Sequence, residues 1–258
     1  MVQFFCTQLV LILLSHPGAP FSPPTGLAKI ATKRKMMTNQ NNDTDDQNVI
    51  ANSQKYRIEF HNKSGVRFDF LCYQDTRSDA SGSFFPLAWF VKSVENNAKA
   101  RLEWSEDYHF ALAETGELKP GIKFDAIQTL PGDPNGANEV NLTRAGDKLI
   151  LTNDATNGPK GTLTIRSTSL VPVNVAALGI GMAGQGTLAW QAALPGHSTQ
   201  ITVSAIKYWI SFGKFEVGQV LDTKNILNPY EVTFPANIFV VYATLLDDFT
   251  WNVTTSID

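Results

Sequence analysis

Apolar and polar residues alternate with a period of two along most of the chain from Tyr56 onward. The clearest runs cover residues 66–71, 100–104, 162–166 and 201–204. A period of two places successive side chains on opposite faces of an extended backbone. These runs therefore predict β-strands with one face directed to a core. Further segments rich in β-branched and aromatic residues cover 230–234, 238–246 and 249–255.

Turn-forming residues separate the predicted strands. Proline, glycine and asparagine cluster at residues 119–121, 131–136, 157–159, 194–196 and 228–229. No amphipathic helix of about 12 or more residues is visible, and about 12 to 15 short strands are expected. The pattern predicts an all-β fold, an antiparallel β-sandwich of Greek-key or jelly-roll-like topology.

Two short segments are compatible with helical turns within this strand-rich pattern. They cover residues 93–100 and 221–227, where polar and small residues interrupt the alternation. We expect any helix in the domain to be confined to such turns.

The first 50 residues differ in composition from the rest. Residues 9–14 form a short apolar run that resembles the core of a signal peptide, but the basic residues 33–35 follow it instead of preceding it. One interpretation is a true targeting segment. The other is a misassigned extension upstream of a natural start at Met36 or Met37. The expected localisation depends on which interpretation holds: the cytoplasm is favoured, and secretion is the alternative.

The segment between this leader and the strands is a polar linker. Residues 39–48 contain three aspartates and no apolar side chain, which predicts disorder. We therefore expect residues 1–50 to be a disordered leader or a misassigned N-terminal extension. Residues 51–258 are expected to form a single β-sandwich domain, because no tandem repeat divides them.

Charge is nearly balanced over the 258 residues, with a formal net charge of −3. Nucleic-acid binding normally requires a basic surface, so no nucleic-acid partner is expected. Residues 155–215 nevertheless contain four lysines or arginines and no acid. This segment could face an anionic ligand or a membrane, but a buried central part of a sheet is favoured, because burying a carboxylate is costly.

The sequence contains the glycine spacing of a dinucleotide-binding fingerprint but lacks the other features that the fingerprint requires. Gly179, Gly181 and Gly184 have the spacing G-x-G-x-x-G, but no helix of useful length follows them. The acidic residue that would hold a ribose is also missing, since no Asp or Glu occurs between Asp154 and Glu216. The glycines are predicted to be a packing device, at a bulge or a close approach of two strands. No cofactor is predicted.

No catalytic or metal-binding constellation is evident. The histidines beyond the leader are His61, His109 and His197, and no two have ligand spacing on one strand. His109 follows Glu106 and Asp107 closely, which makes these three the best candidates for a scattered enzyme site. A solvated histidine on a strand face is the favoured alternative. We assign no catalytic, cofactor-binding or metal-binding residue from the sequence.

Aromatic residues are the remaining chemical signal. The five tryptophans are Trp89, Trp104, Trp190, Trp209 and Trp251, and each is expected to belong to the core. The densest aromatic clusters are residues 86–90 and 207–213. Exposed aromatic side chains there would suit sugar stacking or an interfacial membrane belt.

Several motifs resemble those of the rhizosphere-induced RhiA family. They are Pro86-Leu87-Ala88-Trp89-Phe90-x-Lys92, Trp104-x-x-Asp107-Tyr108-x-Phe110, Gly179-Ile180-Gly181-Met182-Ala183-Gly184-x-Gly186-Thr187, Tyr208-Trp209-Ile210-x-Phe212-Gly213 and the tail Phe234-Pro235-x-Asn237. The resemblance extends over residues 56–255 and leaves out the first 50. It implies a bacterial protein expressed under quorum-sensing control in plant-associated species. It implies no catalytic residue, because the family has no established biochemical activity.

Three functional hypotheses follow from these observations. The favoured one is a non-enzymatic β-sandwich protein that acts in plant–microbe interaction. The alternative is a carbohydrate- or lipid-binding module, including a membrane-active one, whose partner would be a glycan or a lipid surface. The third is an enzyme built from scattered residues such as His109, Glu106 and Asp107. The sequence does not define a specific partner or an oligomeric state.

Overall fold

The all-β fold predicted from the alternation is confirmed. The computed structural model describes residues 54–76, 84–153, 158–191 and 195–256, and the helix in these ranges is the 3₁₀ turn Val203–Ala205. No helix within these ranges is long and apolar enough to cross a membrane. The apolar run at 9–14, the basic residues 33–35 and the polar linker 39–48 lie outside the described residues.

Seventeen strands form four sheets in the described part of the chain. They are β1 (Lys55–Asn62), β2 (Phe68–Asp75), β3 (Phe85–Pro86), β4 (Phe90–Val94), β5 (Lys99–Ser105), β6 (Tyr108–Ala113), β7 (Gln128–Pro131), β8 (Glu139–Ala145), β9 (Lys148–Thr152), β10 (Thr162–Ser167), β11 (Ala177–Met182), β12 (Gln185–Gln191), β13 (Ser198–Thr202), β14 (Lys207–Gly213), β15 (Tyr230–Val232), β16 (Val240–Leu245) and β17 (Trp251–Thr254). The strand orders are β17-β16-β1-β5, β13-β10-β8-β9, β3-β12-β11-β6-β7 and β15-β14-β2-β4. Most neighbours are antiparallel, as predicted, but β1 pairs with β16, and β8 with β10, in parallel.

The central strands of two sheets are buried on both faces. In β2, Phe70 and Cys72 face the main core, whereas Leu71 and Tyr73 face a second apolar cluster that includes Leu221. Burial on both faces explains why the alternation of residues 66–70 gives way to a continuous apolar run at residues 70–73. The sheet that contains β6 and β11 likewise packs a small second cluster on its outer side.

The acid-free segment 155–215 occupies central positions, as the sequence interpretation expected. Strands β10, β11, β12 and β14 lie in this segment, and each has a neighbour on both sides. Strand β13 is the exception, at the edge of its sheet. The absence of carboxylates follows from the high cost of burying an unpaired charge at such positions.

The glycine-rich segment forms a β-hairpin, in which β11 turns directly into β12. Ala183 and Gly184 connect the two strands with φ angles of 50° and 75°, as in a type I′ turn. The register shifts between Ile180 and Gly181, which marks the predicted bulge. The segment therefore lacks the strand–turn–helix geometry on which a dinucleotide fingerprint depends.

The glycines of this hairpin allow close contacts with neighbouring groups. A Cβ atom on Gly179 would lie 2.7 Å from the carbonyl oxygen of Leu188, and one on Gly181 would lie 2.1 Å from that of Gln185. Both distances are too short for any side chain, so glycine is required at these two positions. The prediction that the glycines admit a neighbouring strand is confirmed for Gly179 and Gly181, whereas Gly184 forms the turn.

The two predicted helical turns are wrong. Residues 93–100 contain the end of β4, a turn and the start of β5, with Asn97 in the left-handed region at φ 61°. The amide of Asn97 donates to the carbonyl oxygen of Asn62 on the neighbouring strand, which favours the turn over a helix. Residues 221–227 form non-helical turns, one of them closed by the bond from the Asn225 amide to the Asp222 carbonyl oxygen.

Candidate functional site

A group of contacting aromatic rings lies at one end of the main core. We call this group the aromatic end. It consists of Tyr56, Trp89, Phe90, Trp104, Tyr208, Phe234 and Phe239, with ring centroids 4.3 to 6.5 Å apart. Trp89 and Trp104 are buried, whereas Tyr56, Tyr208 and Phe234 are half-buried. The group therefore joins the core to an accessible aromatic surface.

Strand ends place these rings together. Tyr56 lies at the start of β1, directly across from Trp104 near the end of β5. Tyr208 lies at the start of β14, directly across from Gln74 near the end of β2. Inward-facing side chains at strand ends meet water, because no further strand covers them. The ends of a β-sandwich are also where binding residues commonly lie.

A chain of polar groups crosses the aromatic end. The indole Nε1 of Trp104 donates to the Tyr208 hydroxyl at 3.5 Å, and that hydroxyl donates to Oε1 of Glu106 at 3.4 Å. Glu106 lies in the turn between β5 and β6, where the Ser105 hydroxyl donates to Asp107. The turn thus holds a carboxylate over an aromatic surface.

Burial changes the acidity of the polar groups at the aromatic end. It raises the pKa of Glu106, although the hydrogen bond from Tyr208 acts in the opposite direction. Burial also raises the pKa of Tyr108 and Tyr208, and the charge of Glu106 adds to both shifts. A carboxyl group with a raised pKa that accepts a hydrogen bond from a phenol hydroxyl is a candidate for recognition or reaction chemistry.

Gln74 adds a second polar feature to this end of the core. Its side chain is fully buried, and neither its amide nitrogen nor its amide oxygen has a hydrogen-bond partner. The cross-strand pairing places it beside Tyr208 on the same face of the sheet. An unsatisfied buried polar group costs about 1–3 kcal/mol, so such a group calls for a ligand or an ordered water molecule.

We predict that Glu106 makes the domain less stable as the pH rises. Because its folded pKa is raised, the folded state keeps the proton over a range where the unfolded chain has lost it. Stability should fall from the ordinary pKa of glutamate up through the raised value. Thermal unfolding of the wild type and Glu106→Gln from about pH 4 to 7 measures this.

The Glu106→Gln variant should lose this part of the pH dependence and melt higher at neutral pH. Glu231→Gln, which removes another exposed glutamate outside the aromatic end, is the control for the loss of a surface charge. Identical pH profiles for Glu106→Gln and the wild type would contradict the assignment.

The structure does not assemble the scattered enzyme site. Successive residues of β6 face opposite sides, so Tyr108 points to the main core and His109 points away from it. His109 borders a separate cavity of about 260 Å³ beside the glycine hairpin. Glu106 instead approaches Tyr208 at the aromatic end, and Asp107 is exposed. Within the described ranges, no three His, Cys, Asp or Glu side chains are placed to hold a metal ion.

The tryptophans follow the expectation in part. Trp89, Trp104 and Trp190 are at most 2% exposed and belong to the core, whereas Trp209 and Trp251 are half-buried. The dense aromatic clusters at 86–90 and 207–213 contain Trp89 and Tyr208 of the aromatic end. Nothing in the sequence pointed to Gln74 or Tyr56, because their role depends on which strands become neighbours.

The motifs that carry the family resemblance meet at this end of the fold. Trp89, Trp104, Tyr208 and Phe234 each come from a different motif, and their rings contact one another. The hairpin motif joins them through Met182, whose carbonyl oxygen accepts a hydrogen bond from Trp89 Nε1 at 3.2 Å. Motifs far apart in sequence are therefore close in space.

These features define an all-β protein with an aromatic, partly polar site at the end of its core. The RhiA family profile matches residues 53–256. Protein RhiA of Rhizobium leguminosarum bv. viciae is 30% identical over 208 residues, which cover 80% of this chain and 88% of that protein. The chain belongs to the RhiA family, as the sequence motifs indicated. No solved structure matches the chain significantly.

Proposed function

We propose that this RhiA-family protein is a non-enzymatic binding protein of plant–microbe interaction, made under quorum-sensing control, and that it binds a saccharide at the aromatic end. The family resemblance supports the biological setting. The meeting of the family motifs around Trp89 and Tyr208 supports the location of the site.

The observation that carries the ligand class is that the half-buried rings of Tyr56 and Phe234 lie beside the hydrogen-bonded groups of Tyr208 and Glu106. A pyranose ring presents a face of C–H groups that packs on an aromatic ring, and a rim of hydroxyls that forms hydrogen bonds. Tyr56 and Phe234 supply the rings, in edge contact with centroids 5.1 Å apart. Glu106 and the Tyr208 hydroxyl supply the polar partners.

A lipid headgroup fits this site less well than a saccharide does. The Tyr208 hydroxyl contacts the carboxylate of Glu106, which repels an anionic headgroup. The rings also form a compact group with buried members, whereas interfacial membrane anchors project apolar side chains outward. We therefore favour the carbohydrate form of the binding alternative.

Isothermal titration calorimetry with a panel of neutral oligosaccharides tests the proposal. We expect Tyr208→Phe to weaken the binding of the best ligand about tenfold, because a hydrogen bond in a polar site contributes about 1.5 kcal/mol. Tyr230→Phe is the matched control, since Tyr230 is exposed and lies outside the aromatic end. It should bind like the wild type.

Three outcomes would overturn the proposed function. Equal loss of binding in Tyr208→Phe and Tyr230→Phe, or no binding to any saccharide of the panel, would remove the aromatic end as the site. If chromatography of the reaction mixture detected conversion of a bound saccharide into products, the protein would be an enzyme.

The regulatory part of the proposal has its own test. Transcript levels measured in the source bacterium at low and high cell density should rise with density. A constant level would contradict quorum-sensing control and would leave the binding site itself unaffected.

A further inference from the structure

A polar cavity of about 230 Å³ lies on the outer face of the sheet β17-β16-β1-β5. Ile58 and Phe60 of β1 face the core, so Glu59 and His61 point outward. Strand pairing aligns outward residues in two rows across the sheet. The first row is Lys99, His61, Thr244 and Asn252, and the second is Arg101, Glu59, Tyr242 and Thr254.

Positive charge at one end of this cavity is uncompensated. Lys63 and Lys99 line the cavity with His61, and within the described residues neither lysine has a carboxylate within 4.0 Å. Glu59 is the acid that lines the cavity, and Arg57 and Arg101 hold it at 3.3 and 3.9 Å.

The remaining groups around His61 are neutral. Strands β16 and β17 contribute Thr244 and Asn252 to its row, and Tyr242 to the next. Partial burial lowers the pKa of His61, and the charges of Lys63 and Lys99 lower it further. The two lysines thus create a positive field that a bound anion would neutralise.

We propose that this polar cavity binds an acidic saccharide, with the anionic group of the saccharide between Lys63, His61 and Lys99. The sugar hydroxyls then bind along the sheet to Thr244 and Asn252, with neighbouring strands about 4.8 Å apart. The polar cavity lies on the face of β1 opposite to the face that carries Tyr56. It is therefore a second site, separate from the aromatic end.

The distribution of charge selects this ligand class over other anions. A nucleic acid carries evenly spaced charges and would need cations along its whole path. Beyond the cationic end, however, Lys55, Arg57 and Arg101 are already paired with Glu59 and Glu103, so the sheet face does not continue the row of unpaired cations. A membrane would require cations on a protruding surface, whereas Lys63 and Lys99 border a cavity. The fitting ligand has one local charge beside a neutral, hydroxyl-rich part.

Calorimetry with four probes tests this proposal: a uronic-acid oligosaccharide, a neutral oligosaccharide of equal length, inorganic phosphate and phosphatidylserine vesicles. We expect the acidic oligosaccharide to bind about tenfold more tightly than the neutral one, as a charge-assisted hydrogen bond allows. Lys99→Gln and Lys63→Gln should each remove most of this difference. Lys55→Gln is the matched control, because Lys55 lies on the same sheet but pairs with Glu103 at 3.3 Å.

Nuclear magnetic resonance of His61 supplies a local readout. The bound acidic saccharide should raise the pKa of His61, because it neutralises the field of the two lysines. An unchanged His61 titration would overturn the proposal. Phosphate binding as tight as that of the acidic saccharide, binding to vesicles alone, or an equal effect of Lys55→Gln would also overturn it. The comparison of acidic with neutral ligands keeps this result distinct from binding at the aromatic end.

Discussion

Replacing Gly181 with alanine or valine is expected to destabilise the domain by about 3–5 kcal/mol, a large part of the stability of a typical domain. The new Cβ would lie 2.1 Å from the carbonyl oxygen of Gln185 and 2.6 Å from Nε2 of His109. The histidine side chain can rotate away, but the carbonyl oxygen belongs to the paired strand. The hairpin must therefore open to accept the substitution. Chemical denaturation of purified variants measures the loss.

The matched control for this prediction lies in the same hairpin. A Cβ on Gly184 would meet no atom within 4 Å, and asparagine tolerates the left-handed conformation found there. Gly184→Asn should therefore cost less than about 1 kcal/mol. The double variant Gly181→Ala with His109→Ala should stay unstable, because the clash with the backbone remains. Recovery of stability in that double variant would show that the histidine alone causes the effect.

Changing Asn62 to aspartate is expected to cost about 3–5 kcal/mol, although the two side chains have nearly the same shape. Asn62 is fully buried, and its Nδ2 donates to the carbonyl oxygens of Val66 at 2.7 Å and Val94 at 2.9 Å. Its Oδ1 accepts from the amide and the hydroxyl of Ser64. An aspartate would lose both donors and place a charge beside two carbonyl oxygens.

The Asn62 prediction is checked by thermal unfolding at two pH values. Acid should reduce the loss in Asn62→Asp, because a protonated carboxyl group regains one donor. Asn252→Asp is the control, since Asn252 is exposed, and it should change stability by less than about 0.5 kcal/mol. A loss of similar size in both variants would contradict the role given to the buried amide.

The strands were predictable where one face is solvated, because alternation is then a direct record of burial. They were harder to define where both faces are covered, as at residues 70–73 of β2, and the short strands β3 and β15 have too few residues to show a period. The packing role of the glycine hairpin was predictable, because the sequence lacks both the helix and the acidic residue that a nucleotide-binding turn requires.

The candidate site was only partly predictable from the sequence. Trp89 and Tyr208 lie in dense aromatic clusters, but their contact depends on how distant strands pair. Glu106 and His109 are close in sequence and still face different sides of the fold, because β6 alternates. Gln74 carried no signal at all, since an unsatisfied buried amide becomes visible only when its surroundings are known.

The parallel pairing of β1 with β16 has a consequence for synthesis on the ribosome. Strand β1 is the first strand of the described domain, and its partner β16 is the last but one. Until β16 emerges, β1 has only β5 as a neighbour and exposes an unpaired edge with its apolar side chains. We therefore expect the nascent chain to depend on chaperones until translation is nearly complete, and to fold late and in one step.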